Sequence, residues 1–154
     1  MRTFATKIFP IDPDATAPDG SSVRVLLGLH GGGMAHFELG AGQVSKAVTH
    51  RSVEEIWFVV GGRGEMWRRQ GDQEETVVLE PGVTLTIPLG THFQFRAVPT
   101  ESLAVVAITM PPWPDESEAM FVQGPWVASD GGLPPSQTNP LFQGTRSDET
   151  VSYP

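Results

Sequence analysis

The sequence has 154 residues, enough for one domain with a hydrophobic core and too few for two ordinary domains. Acidic residues outnumber basic ones by 18 to 10 and the basic residues form no run, so we expect no nucleic-acid partner. The absence of cysteine excludes disulfides, thiolate nucleophiles and cysteine-bound metals. No apolar run reaches the length of a signal peptide or membrane span, so we expect a cytoplasmic protein with no membrane partner.

The chain begins with an arm and a linker, which we assign to residues 1–21. Residues 3–9 are predicted to form a separate edge strand, the kind of element that pairs with a neighbouring chain, and we therefore expect a homodimer. Residues 11–22 read IDPDATAPDGSS. This composition predicts a linker that joins no sheet ladder.

Short apolar segments punctuated by glycine and proline make up the middle of the chain, and none has a convincing helical period. Apolar and polar residues alternate at 36–39 and 83–87, as expected of half-buried strands. Together these features predict an all-β sandwich or barrel. The candidate strands are 23–29, 34–39, 45–49, 55–60, 65–69, 76–79, 83–87, 93–98 and 103–110.

A proline-rich segment follows the last candidate strand and reads PPWPDESEAMFVQGPW over residues 111–126. Its prolines predict no regular structure, whereas Trp113, Phe121 and Trp126 are expected to pack on the wall of the domain. We therefore place the domain, including this wrap, at residues 22–127. Residues 128–154 are polar and rich in proline and glycine, and we predict a flexible tail there.

Two spaced motifs lie within the candidate strands. The first fits G-x5-H-x-H-x4-E-x6-G from Gly42 to Gly62, with His50 and Glu55 in place and Val48 at the first histidine. The second fits G-x5-P-x-G-x2-H-x3-N, with Phe93 at the histidine and alanine at the asparagine. The positions of the second motif that fit are Gly82, Pro88 and Gly90.

These spacings resemble the two conserved motifs of the cupin superfamily. The resemblance implies one domain folded as a double-stranded β-helix, the jelly-roll or cupin barrel. In that family three histidines and a glutamate hold a transition metal. Because Val48 and Phe93 stand at two of the four ligand positions, no metal cofactor is favoured here.

The leading hypothesis is that the barrel binds a small organic molecule in a mostly apolar cavity. His50 and Glu55 are the candidate catalytic pair, for acid/base chemistry of the isomerase, epimerase, cyclase or lyase type. We expect Glu55 to orient the imidazole and to raise its pKa. The candidate ligand-binding residues are Val48, Trp57, Phe93 and Phe95, with Trp57 either lining the cavity or packing in the outer layer.

Three alternatives remain open from the sequence. A shortened turn would bring His92 to the site, and His50, Glu55 and His92 would then suit iron, manganese, zinc or nickel, as in a dioxygenase. In the second alternative the barrel is a non-catalytic metabolite-binding module. In the third, His50 is only a buried polar residue that is hydrogen-bonded to Glu55. His36 would add a donor if its side chain faces the pocket, and His30 is interpreted as a loop residue.

Overall fold

The computed structural model describes residues 1–129, which form β-strands and one short 3-10 helix. No helix in this range is long and apolar enough to cross a membrane. The strands are β1 (Ala15–Thr16), β2 (Ser22–Leu29), β3 (Gly32–Leu39), β4 (Val48–His50), β5 (Glu54–Gly61), β6 (Gly64–Gln70), β7 (Gln73–Leu79), β8 (Thr84–Ile87), β9 (His92–Ala97), β10 (Leu103–Met110) and β11 (Ala119–Phe121).

The strands form two antiparallel sheets. One sheet has six strands in the order β1-β2-β3-β10-β5-β8, and the other has five in the order β11-β4-β9-β6-β7. Consecutive strands alternate between the sheets at several points, so that β3 pairs with β10 and β4 pairs with β9. The predicted jelly-roll barrel is confirmed.

The core lies between the two sheets and is built by alternate residues of each strand. In β5 the residues Trp57 and Val59 are buried while their neighbours are exposed, and Leu103, Val105 and Ala107 follow the same period in β10. The segment 56–60 is therefore half-buried, with an apolar side chain on each face. Each of the candidate strands predicted between residues 23 and 110 overlaps an observed strand, although the one at 45–49 is reduced to Val48–His50.

The N-terminal arm is not the edge strand that was predicted. Residues 3–9 form no ladder, because β1 already occupies the edge of β2 through the pairing of Thr16 with Ser22. The arm is held by side chains instead: Lys7 Nζ donates to the Val25 carbonyl, and the Phe9 ring packs on His36.

The linker was wrongly predicted to join no ladder, since β1 lies within it. A tight turn closes β1 onto β2: Gly20 N donates to the Ala17 carbonyl, and the Asp19 carboxylate accepts from both the backbone N and the Oγ of Ser21. The aspartate and glycine that suggested a flexible linker are thus the residues that form a hairpin turn.

The wrap was also wrongly predicted to lack regular structure. Between Pro114 and Pro125 it has no proline, and the residues there form the 3-10 helix Glu116–Glu118 and strand β11, which pairs with β4. Ser129 marks the end of the described chain, where it donates to and accepts from the backbone of Val44. The rest of the predicted tail, residues 130–154, lies outside the described residues.

The motif glycines share a backbone conformation that explains their spacing. Gly42, Gly62, Gly82 and Gly90 all have positive φ, which glycine adopts without steric cost. Gly62 has a second constraint, because a Cβ there would lie 1.7 Å from the carbonyl oxygen of Ser102. Gly71 also has positive φ, but a Cβ there would meet nothing within 4 Å.

We expect Gly62→Ala to destabilise the fold far more than Gly71→Ala. Both substitutions carry the left-handed penalty of about 1–2 kcal/mol, and only the first adds the collision with Ser102. Urea denaturation should show a loss for Gly62→Ala that exceeds the loss for Gly71→Ala by on the order of 3 kcal/mol. Equal losses in the two variants would contradict the close approach.

Candidate functional site

The candidate site is a small cavity between the two sheets, with a free volume of about 20 Å³, roughly that of one water molecule. Strand alternation turns its strand-borne side chains inward from β3, β4, β5 and β9, while the β1–β2 turn and the wrap supply the rest. Its lining residues are Ala17, Pro18, Asp19, Phe37, Val48, His50, Glu55, Trp57, Phe93, Trp113 and Ala119.

His50 and Glu55 are the polar centre of this cavity. His50 Nδ1 lies 3.9 Å from Glu55 Oε1, which is too long for a direct hydrogen bond. Glu55 Oε2 accepts a hydrogen bond of 2.5 Å from Trp57 Nε1, whereas His50 Nδ1 is buried without a partner. The His50 ring is held edge-on between the rings of Phe93 and Trp113, at centroid distances of 5.2 and 4.9 Å.

Burial shifts the pKa of both groups toward their neutral forms. Desolvation lowers the pKa of His50 to about 4, and the charge of Glu118 and a backbone hydrogen bond with Val53 oppose this only in part. Desolvation raises the pKa of Glu55 to about 7 against the hydrogen bond from Trp57, with a further increase from the charges of Asp19 and Glu118. The expectation that Glu55 raises the pKa of His50 is therefore wrong, because the cost of burying the imidazolium dominates.

Two residues of the wrap take part in the site without having been predicted to do so. Trp113 was expected on the barrel wall, but its ring closes the cavity over His50. Glu118 is buried, and its carboxylate accepts hydrogen bonds from Ser52 N, Ser52 Oγ and Val53 N. It thereby fixes the turn that follows β4, the strand carrying His50. A carboxylate within a polar, proline-flanked segment gave no sequence signal for such a role.

The other two aromatic candidates differ in their relation to the cavity. Trp57 faces the barrel interior and lines the cavity, which decides between the two placements left open for it. Phe95 lies one layer deeper, with its ring centroid 5.0 Å from that of Trp57, and is not part of the cavity wall.

The remaining histidines lie away from the cavity. His92 is on the opposite face of β9 from Phe93, where its Nδ1 lies 3.0 Å from a guanidinium nitrogen of Arg69. His36 points outward from β3 and is covered by Phe9, and His30 is exposed in the β2–β3 turn. The structure therefore does not bring His92 to His50 and Glu55. Within residues 1–129, no group of three or more His, Asp or Glu side chains could hold a metal ion.

The residues of the site do not fit the metal that the motif spacing implies. Val48 and Phe93 face each other across the β4–β9 pair, at two of the four ligand positions. Only His50 and Glu55 remain, and one Glu55 oxygen is already bonded to Trp57 Nε1. A divalent transition metal needs three or four fixed donors for tight binding, which this set does not supply.

Comparisons with known proteins agree on the fold. The Cupin domain family matches residues 35–109. Similar solved structures include a Bacillus halodurans protein (20% identity, TM-score 0.54, covering 59% of this chain and 70% of that one). KdgF from Halomonas sp. shows 19% identity and a TM-score of 0.55, covering 68% of this chain and 94% of that one. Hazelnut vicilin, from Corylus avellana, shows 21% identity and a TM-score of 0.59, covering 74% of this chain and 35% of that one. No curated protein matches the chain.

Replacing Glu55 by glutamine should change how stability depends on pH. The folded pKa of about 7 lies above the ordinary 4.5, so Glu55 contributes stability at low pH that is lost as the pH rises through 7. Each pH unit between 4.5 and about 7 changes the contribution of Glu55 by up to about 1.4 kcal/mol. Over this range the unfolding free energy of Glu55→Gln relative to wild type should therefore rise by about 3 kcal/mol. Urea denaturation at several pH values measures this difference.

The comparison must be made between the two proteins, because His50 acts in the opposite direction. Its folded pKa of about 4 lies below 6.5, so its contribution to stability grows as the pH rises between these values. In the wild type the pH-dependent contributions of Glu55 and His50 to the unfolding free energy nearly cancel each other. Both proteins contain His50, so its contribution drops out when their unfolding free energies are subtracted. A difference that stayed constant with pH would show that the pKa of Glu55 is not raised.

Restoring the two missing ligands should create a metal site. In a protein carrying Val48→His and Phe93→His, two new imidazoles would adjoin His50 and Glu55 from paired strands. Elemental analysis after incubation with zinc or manganese and dialysis should find close to one equivalent in the double variant and much less in the unmodified protein. Val48→His alone, with three donors, should be intermediate. Stoichiometric metal in the unmodified protein would contradict the poor fit of its donors.

Proposed function

The chain belongs to the cupin superfamily, and we propose that its barrel binds a small, mostly apolar organic molecule bearing a hydroxyl group, which lies between His50 and Glu55. The observation that carries this proposal is the unpartnered Nδ1 of His50, buried and facing Glu55 Oε1 across 3.9 Å. A buried polar atom without a partner costs about 1–3 kcal/mol. A ligand that bonds to this atom recovers that cost, which favours binding at this point.

The hydrogen-bonding capacity of the pair indicates which polar group fits. The His50 ring makes a hydrogen bond with the backbone of Val53, and because Nδ1 has no partner we assign that bond to Nε2. Nδ1 is then an acceptor, whereas protonated Glu55 is a donor. A hydroxyl satisfies both, since it donates to Nδ1 and accepts from Glu55. A carbonyl satisfies only Glu55.

The walls of the cavity indicate the body of the ligand. Apart from Asp19 at the turn, the side chains around the pair are apolar, and four of them are aromatic rings: Phe37, Trp57, Phe93 and Trp113. Such walls favour an aromatic or compact aliphatic body over a charged or sugar-like one. An alcohol or phenol is therefore the class that the site suits best.

The size of the cavity requires one wall to move. Its free volume of about 20 Å³ holds no more than one water-sized group, so the ligand body must replace a side chain. Trp113 is the side chain best placed to leave, because it lies on the wrap between two prolines, whereas the other aromatic residues of the wall lie on paired strands. Displacing Trp113 uncovers the edge of the His50 ring that it now contacts.

The same pair could also transfer protons, which would make the barrel an acid/base enzyme of the isomerase, epimerase, cyclase or lyase type. Neutral Nδ1 would remove a proton from the substrate, while the Glu55 carboxyl would give one to an adjacent oxygen. A base with a pKa of about 4 abstracts only protons that are already acidic. Binding is thus supported more strongly than turnover, and conversion of a bound compound would be the observation that establishes catalysis.

Phenol and toluene provide a matched pair of probes for the proposed site. They share a shape and differ in the hydroxyl, and Trp113→Ala removes the side chain that closes the cavity. We expect phenol to raise the melting temperature of Trp113→Ala more than toluene does at equal concentration. Equal shifts would exclude a role for the polar pair, and the absence of any shift across a panel of alcohols and phenols would refute binding in this cavity.

His50→Gln should weaken the binding of such a ligand by about tenfold or more, corresponding to the loss of one well-placed buried hydrogen bond. The matched control is His30→Gln, which makes the same chemical change at an exposed turn residue and should leave affinity unchanged. Both substitutions are introduced into the Trp113→Ala protein, and calorimetric titration with phenol measures the affinity. Equal affinities in the two variants would remove His50 from the site.

A further inference from the structure

A polar groove lies beside the tip of the β6–β7 hairpin and extends to the turn that joins β8 to β9. Its volume is about 680 Å³, within the range of about 300–1,000 Å³ that small-molecule sites occupy. Among the described residues, those that line the groove are all polar or charged except Pro88. None of them lines the apolar cavity around His50, so the groove is a separate candidate site.

Arg69, near the end of β6, lines this groove and forms no ion pair with an acid of residues 1–129. Four other arginines of the barrel each form an ion pair with a glutamate: Arg24, Arg63, Arg68 and Arg96. The contacts of Arg69 are neutral instead. One guanidinium nitrogen lies 3.0 Å from His92 Nδ1, and the guanidinium carbon lies 5.7 Å from the centroid of the Trp67 ring.

These contacts hold the guanidinium in place and leave most of its donors unused. Burial lowers the pKa of His92, and the charge of Arg69 lowers it further, so the imidazole is neutral and its Nδ1 accepts. This bond occupies one of the five N–H donors of Arg69. The Trp67 ring is buried and forms a rigid platform. A carboxylate can therefore pair with a free edge of a guanidinium that is already ordered.

The groove also contains two acids that form no ion pair within residues 1–129. Glu74 is the cross-strand neighbour of Arg69 on β7, and Asp72 lies in the hairpin turn. The third acid of the groove, Glu75, pairs with Arg68. Cross-strand neighbours have Cβ atoms about 5 Å apart, but the guanidinium of Arg69 turns away from Glu74 and toward β9. A cation and an anion thus lie side by side, each open to a ligand.

We propose that this groove binds a small α-amino acid as a zwitterion, with the ligand carboxylate on Arg69 and the ligand ammonium on Glu74. The two ligand charges are attached to one carbon, which suits two side chains on adjacent strands. A simple carboxylate would satisfy only Arg69 and would be repelled by Asp72 and Glu74. A simple amine would leave Arg69 without an acceptor. The polar walls favour an amino acid whose own side chain is small or polar.

Alanine, propionate and ethylamine provide matched probes, because propionate lacks the ammonium of alanine and ethylamine lacks its carboxylate. Titration of the full chain is followed by NMR through the backbone amides of residues 69–74. We expect alanine to bind saturably, and propionate and ethylamine to bind several-fold more weakly, since each forgoes one partly exposed ion pair. Either fragment binding as tightly as alanine would overturn the proposal, as would the absence of alanine binding.

Substitution of Arg69 tests the carboxylate contact. Arg69→Gln should weaken alanine binding by about tenfold, because a pair of charge-assisted hydrogen bonds is lost. The matched control is Arg63→Gln, at an arginine that pairs with Glu80 and does not line the groove; it should bind alanine as the wild type does. Arg69→Lys keeps the charge, so it serves if Arg69→Gln fails to fold, and without the planar fork it should bind several-fold more weakly than wild type. Wild-type affinity in the Arg69 variants would contradict the proposal.

Substitution of Glu74 tests the ammonium contact. In Glu74→Gln, alanine and propionate should bind about equally, because the group that distinguishes them has lost its partner. Glu80→Gln makes the same change outside the groove and should keep the preference for alanine. A preference that survived in Glu74→Gln would refute the proposed placement of the ammonium.

Discussion

Removing two ionisable groups from water at the centre of an apolar barrel is the constraint on which the rest of the site depends. His50 and Glu55 are both buried, and no lysine or arginine of the described residues lines their cavity. Elsewhere the domain pairs its partly buried charges, as between Arg24 and Glu38. In the cavity no cation of residues 1–129 pairs with Glu55, and burial shifts the pKa values of His50 and Glu55 in the directions that favour their uncharged forms. The site therefore offers directional hydrogen bonds in place of charge.

The polar pair could be predicted from sequence because its placement depends on local geometry. Gly62 sets the turn after β5 and Gly90 sets the turn before β9, and strand alternation then fixes which side chains face inward. The same alternation decides between His92 and Phe93: adjacent residues of one strand point to opposite faces, so a buried Phe93 turns His92 outward. No long-range information was needed for either result.

The remainder of the site depends on contacts between distant parts of the chain. Glu118 bonds to Ser52 across 66 residues, and Trp113 reaches His50 from a segment with no period. Hydrophobicity predicted that Trp113 would be buried but could not say which surface would cover it. The pKa of His50 was predicted in the wrong direction for a related reason. Its sign depends on the balance between burial and a neighbouring charge, and the extent of burial follows from the wrap that closes the cavity.

The attachment of the wrap determines how the cavity can open. From Glu118 onward the wrap is held by the hydrogen bonds of Glu118 to the turn after β4, by the β11–β4 ladder, and by Gln94, whose side chain bonds to the backbone of Trp126. Trp113 precedes all of these contacts. A displacement confined to residues 111–114 would therefore uncover His50, while Asp115 still caps the 3-10 helix and Glu118 still fixes the strand that carries His50. Because the moving part and the positioning part are separate, the barrel can admit a ligand without losing the geometry that binds it.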